Sequence, residues 1–114
     1  MRMRVPVDRM LREAGAAERY AARGKVIFFD IRAPEIRDAA ELRIRHFVET
    51  ATKLARPFRN ANPRLPWDEL DRLRNDLVHE YAEVRAERVW RFITDDLPGL
   101  VAKLRRARYS AASA

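Results

Sequence analysis

The chain has 114 residues, enough for one compact domain and little more, and its 47% hydrophobic and 36% charged residues suit a soluble helical protein. It has no cysteine, which excludes disulfide staples, thiolate metal sites and cysteine nucleophiles. A net charge of +7 and a pI near 10.7 favour a polyanionic partner, although solvated arginine faces account for most of the basic residues and only Lys25, Lys53 and Lys103 among the 24 are lysines.

The stretch Met1-Arg2-Met3-Arg4-Val5-Pro6 is basic, but no apolar h-region follows it. No signal peptide, no transmembrane segment and a cytoplasmic location are expected. The first helix is predicted from Val7 to Arg23, with Val7, Met10, Leu11, Ala14, Ala17 and Ala21 on one face and Gly24 as its stop. Lys25 to Ala33 reads as a connector whose Phe28 and Phe29 plug the core. The second helix is predicted from Pro34 to Ala55, with Ile36, Ala40, Ile44, Phe47, Ala51 and Leu54 as its buried stripe. Leu42 lies off that stripe, either simply exposed or part of a second packing surface such as a dimer face.

Pro57, Pro63 and Pro66 make Arg56 to Pro66 a loop. The third helix begins at Pro66-Trp67-Asp68-Glu69, with its acids favourably placed in the first turn, and carries Leu70, Leu73, Leu77 and Tyr81 on one face. A fourth helix is predicted from Ala86, with Trp90, Ile93, Leu97, Val101 and Leu104 inward and a kink or break at Pro98. Arg105 to Ala114 reads as a fraying tail. No useful length alternates with period two. The expected fold is all-α, an up-and-down bundle of four to five helices forming a single domain over residues 1–114.

The chemistry concentrates in Arg74-Asn75-Asp76-Leu77-Val78-His79-Glu80-Tyr81. Arg74 is a permanent cation that can hold a phosphate, and His79 is a base that titrates near neutrality. Together they are a workable kit for cutting RNA without a metal. No G-x-G-x-x-G, G-x-x-x-x-G-K or H-E-x-x-H is present, and neither a cofactor nor a metal is expected. On a helical wheel with Leu70 at zero, Arg74 falls at about 40°, inside the apolar arc. An arginine there must snorkel, pair with a carboxylate of another helix, or face a pocket. His79 falls at about 180°, beside Asn75, where a lone histidine is usually just solvated. The two converge only if the helix ends or bends near His79, or if a second protomer supplies part of the site. A two-fold dimer would set two copies of the segment face to face.

This octapeptide resembles the R-x4-H-x-Y signature of the HepT-like toxins, a branch of the HEPN domain superfamily. The flanks are similar too: Pro66-Trp67-Asp68-Glu69-Leu70 to the family's P-W-x-x-[IL], Val89-Trp90 and Asp96-Leu97-Pro98 to its V-W…D-L-P run, and Glu49-Thr50-Ala51-Thr52-Lys53-Leu54 to its G-E-A-A-K-x-L segment. The chain departs at Val48, where the family has glycine, and at Thr50 and Thr52. The likeness is specific from Glu49 to Leu104 and loose before Ile36.

The resemblance implies a helical homodimer and a metal-independent endoribonuclease whose two motifs line one interface cleft. His79 would act as general base or acid, and Arg74 would hold the scissile phosphate. Asn75 would orient the phosphate or the histidine. Tyr81 matches the tyrosine that an MNT-type nucleotidyltransferase antitoxin adenylylates, as in a type VII-like toxin–antitoxin pair; the added anion would block the cleft. On spacing alone Tyr81 is a core tyrosine in the stripe of Leu73 and Leu77. Glu49, by its spacing from Arg45 and Lys53, belongs to a solvated charge ladder, while the family match draws it toward the cleft. His46 reads as structural, and Trp67 and Trp90 as core or interface anchors. Two other classes compete: a non-catalytic HEPN module that binds a nucleotidyltransferase or nucleotide, and a basic helical nucleic-acid binder. Arg74, His79 and Tyr81 together favour the ribonuclease.

Overall fold

The computed structural model describes residues 4–113, with side chains for residues 5–107. Met1 to Met3, part of the basic N-terminal stretch, and Ala114 lie outside them. The elements are α1 (Arg4–Ala21), one-turn α2 (Lys25–Phe28), α3 (Glu35–Thr52), α4 (Arg56–Ala61), α5 (Trp67–His79), α6 (Ala82–Arg91), a π-helical turn (Phe92–Asp96) and α7 (Leu97–Ser113). No strand occurs among the described residues. The last three run on without a gap, so α1, α3, α5 and the α6–α7 rod are the four long members of an all-α bundle. None of these helices is long and apolar enough to cross a membrane.

Each long helix buries most of the stripe its spacing predicts, with Leu11, Ile36, Trp90 and Val101 half-buried and Tyr81 exposed. Val7, Met10, Ala14, Ala17 and Ala21 recur every three or four residues on α1, and all are buried. The alanines let α1 lie close to α3, its principal neighbour. Ala40, Ile44, Phe47, Val48 and Ala51 form the inner face of α3. Alpha5 packs on α3 through Leu70, Leu73 and Leu77, and α7 returns against α1. Buried residues from all four long members form one hydrophobic cluster.

Gly24, with φ 104°, lets the chain reverse after α1. Phe28 then enters the core fully buried, its ring 4.9 Å from Trp90 and 5.0 Å from the half-buried Phe29. The expected plug is thus present. Truncating a ring buried this way costs about 3–5 kcal/mol.

Three predictions need correction. The proline-rich segment is not all loop: Pro57 sits in the first turn of α4, where its missing N–H removes no bond, and Phe58 anchors the helix in the core. The rod starts at Ala82, a turn before Ala86. Its irregularity lies just ahead of Pro98, in the π turn, where Leu97 N–H reaches back to Phe92 O. Widening the helix there accommodates a residue that cannot donate to the carbonyl four back. Alpha7 also continues to Ser113 rather than fraying from Arg105.

Candidate functional site

Alpha5 stops at His79. Its closing bond is Glu80 N–H to Asp76 O, 2.9 Å. Glu80 (φ −84°, ψ 158°) and Tyr81 (φ −67°, ψ 158°) are extended, and α6 opens at once behind them. The helix therefore ends at His79, one of the two conditions under which Arg74 and His79 converge, and no hydrogen bond or ion pair joins the two side chains.

This end is braced from two helices. Leu77 O has no intrahelical donor, because Tyr81 is no longer helical, and it accepts from Arg45 Nη2 on α3 at 3.4 Å. Arg45 Nη2 also donates to Glu41 Oε2 at 2.9 Å. Arg85 Nε on α6 donates to both Glu41 oxygens, at 3.2 and 3.1 Å, while its Nη1 donates to Glu80 O at 2.8 Å. A further pair, Arg88 Nη2 to Asp76 Oδ2 at 2.8 Å, ties α6 to α5. Glu41 thus joins two arginines, each of which holds a carbonyl of the junction.

Against this braced backbone the motif side chains are free. Arg74, Asn75, His79 and Tyr81 are all exposed, and none of the four side chains bonds or ion-pairs with another described residue. Arg74 forms no inter-helix salt bridge among the described residues. The arc of Leu70, Leu73 and Leu77 is centred about 65° from Arg74 on the wheel, so its long side chain sits at the rim and reaches water. Tyr81 leaves the stripe because the helix has ended, and it is 82% exposed rather than a core residue.

Glu49 does not form the expected ladder. Arg45 pairs with Glu41 instead, and neither Glu49 nor Lys53 has an ion-pair partner among the described residues. Glu49 lines a groove of about 550 Å³ with Arg9, Arg12, His46 and Lys53, apart from Arg74 and His79. His46 is structural in the sense expected: its Nδ1 lies 2.7 Å from Oε2 of Glu13 on α1. Glu13 is the one buried charged residue among those described, 8% exposed, and its Oε1 accepts from Arg43 Nη1 at 2.9 Å. That hydrogen bond, and then the attraction of the carboxylate, raise the Arg43 pKa above its ordinary value. Trp67 is an anchor, its Nε1 donating to Arg59 O and Asn62 O. Among the described residues no three His, Asp or Glu side chains group to hold a metal ion.

The braced helix end carrying an arginine, a histidine and a tyrosine can be set beside known proteins. A family model described as ribonuclease HepT-like matches residues 10–107. The chain belongs to the HepT-like ribonuclease family. It is 30% identical over 60 residues to a probable ribonuclease HepT of Thermococcus cleftensis, covering 53% of this chain and 54% of that protein. It is 33% identical over 52 residues to a putative RNase of Caldanaerobacter subterraneus subsp. tengcongensis, 46% of each. The chain thus spans about half the length of these curated relatives. No solved structure matches it significantly.

Motif reading did not find Glu41, Arg45 and Arg85 as the brace of this HepT-like helix end. The four-residue spacing of Glu41 and Arg45 is visible in the sequence. Nothing local reveals that Arg85, 44 residues on, shares the same carboxylate.

Proposed function

We propose that the protein is a metal-independent endoribonuclease, the toxin of a toxin–antitoxin pair, active as a homodimer and silenced by adenylylation of Tyr81. The observation that carries this reading is the end of α5, where a fixed backbone presents unpaired Arg74, His79 and Tyr81 to solvent. The family membership and the ribonuclease names of the relatives support it. Exposed Leu42, Val78 and Val84 lie on the helices that meet at the motif, and support a two-fold face that closes the cleft.

The chemistry follows from the two side chains. His79 takes the proton of the ribose 2′-hydroxyl as O2′ attacks phosphorus. The P–O5′ bond breaks, a 2′,3′-cyclic phosphate forms, and the leaving O5′ receives a proton from an imidazolium, which a second His79 across the dimer can supply. Arg74 stabilises the charge that develops on the phosphoryl oxygens, and Asn75 orients the phosphate. In adenylylation, Tyr81 Oη attacks the α-phosphorus of ATP and pyrophosphate leaves. The product sets an anionic nucleotide on the cationic motif.

The test is cleavage of RNA by the purified protein in excess EDTA. Wild type cuts, whereas His79→Ala and Arg74→Ala do not. Equal cutting by all three, or by none, overturns the catalytic assignment. A small nucleotidyltransferase encoded beside the gene, and its co-expression product modified at Tyr81 by mass spectrometry, test the control step; modification at another residue refutes it.

A further inference from the structure

The α1–α3 groove has a charge pattern that the proposed catalytic step does not use. Arg9 and Glu13 are four residues apart on α1, a spacing at which they would ordinarily pair. Glu13 instead turns inward, and both its oxygens are taken by α3, one by Arg43 and one by His46. Among the described residues Arg9 is left without an ion-pair partner. So is Lys53, because Glu49 makes no ion pair with it, and Arg12 has no bonded partner among the described residues. Three solvent-exposed cations therefore line one concave site, against the single unpaired carboxylate of Glu49.

His46 adds direction to that charge. With Nδ1 held by a buried carboxylate the ring is fixed, and Nε2 has no partner among the described residues; the side chain is 47% exposed. In the imidazolium form Nε2–H is an oriented donor beside the three cations. Thr50 contributes a hydroxyl to the same lining.

Helix α3 serves both the groove and the brace beneath the motif. Leu42, His46, Glu49 and the C-cap Lys53 fall within about 60° on the wheel of α3 and form a stripe about 16 Å long, exposed but for the half-buried Glu49. The stripe begins beside Arg45, which donates to Leu77 O at the end of α5. We propose that this groove is a phosphate track: it binds the RNA backbone on one side of the scissile bond, through Arg9, Arg12, Lys53 and His46. The inference rests on the ribonuclease reading for its choice of RNA. An acidic protein surface is the competing occupant. The exposed guanidiniums and the anchored ring suit single phosphates in a concavity better than they suit a broad protein face.

The experiment separates binding from cutting. A fluorescent single-stranded RNA with 2′-O-methyl groups throughout has no nucleophile, so anisotropy reports affinity alone. The triple variant Arg9→Gln/Arg12→Gln/Lys53→Gln is expected to bind at least about tenfold more weakly than wild type. Its slope of log affinity against log salt should be shallower by about 2, as three lost phosphate contacts on a single strand require. These side chains are exposed, and matching thermal melts establish that the variant is folded. Lys53→Glu alone should show a smaller loss of the same kind. Unchanged affinity and slope in a folded variant overturn the track. Loss of nucleotidyltransferase capture with RNA binding intact also overturns it and assigns the groove to a protein. Failure of the ribonuclease reading looks different: wild type and His79→Ala bind the probe equally, and neither cuts unmodified RNA.

Discussion

The two histidines of this chain are held in opposite ways. His46 is anchored through Nδ1 to a buried carboxylate that itself spans two helices. His79 makes no hydrogen bond or ion pair with another described residue, and what is fixed is the backbone beneath it, through Glu41, Arg45 and Arg85. A ring tied to Glu13 is committed to one orientation and contributes to the fold. A ring on a braced but open helix end can approach a substrate and exchange a proton. The contrast supports the acid–base role proposed for His79 and a fixed contact for His46, although both are histidines on exposed faces of helices.

The largest effect should come from His79→Ala. General acid–base groups contribute about 10²–10⁴-fold, so cleavage should fall by at least that factor. Stability should stay within about 0.5 kcal/mol of wild type, because the side chain is exposed and makes no hydrogen bond or ion pair with another described residue. Urea melts beside the RNA assay check both halves. A large loss of stability would mean that His79, like His46, is structural.

Next comes Glu41→Gln, which weakens the brace without touching the proposed chemistry. A misplacement of the α5 end should lower kcat about tenfold and leave KM nearly unchanged. Glu41→Asp, which keeps the charge, should recover part of the rate. If stability falls while kcat is untouched, Glu41 merely holds helices together and is no positioning residue.

The sequence showed the helices and the motif more clearly than the arrangement that makes the motif usable. The stripes on α1 and α3 were legible because a buried helix face repeats every three or four residues. Alpha4 was not, since three prolines within ten residues outweigh the rule that one proline in a first turn favours a helix. Arg74, Asn75, His79 and Tyr81 could be nominated as candidates from their spacing and flanks. The freedom of Arg74 and Tyr81 could not, because a wheel assumes the helix continues and ignores how far a long side chain reaches. The Glu13 junction was equally hidden, joining residues 30 and 33 positions apart.

Glu13→Gln should affect stability more than cleavage. It replaces a buried carboxylate that accepts from two cationic or polar partners, and hydrogen bonds to charged groups are worth about 1.5–3 kcal/mol. Both partners are near half exposed, which places the expected loss at the lower end of that range. Thermal unfolding measures it. Cleavage by the folded variant should lose affinity for long RNA several-fold while kcat is retained. A collapse of kcat would place the α1–α3 groove inside the catalytic cleft and erase the distinction between the two histidines.

Tyr81→Phe should change cleavage least of all. The hydroxyl is far out in solvent, and the residue caps α6 with its backbone rather than its side chain, so folding should move by no more than about 0.5 kcal/mol. If the hydroxyl serves only as an acceptor of the nucleotide, the variant should cut RNA at close to the wild-type rate and resist silencing when co-expressed with the nucleotidyltransferase. If cutting falls sharply instead, Tyr81 orients RNA in the unmodified enzyme. Adenylylation would then disable a working part of the site as well as obstruct it. The two outcomes separate because the phenyl ring keeps the shape of tyrosine and removes only the atom that both roles need.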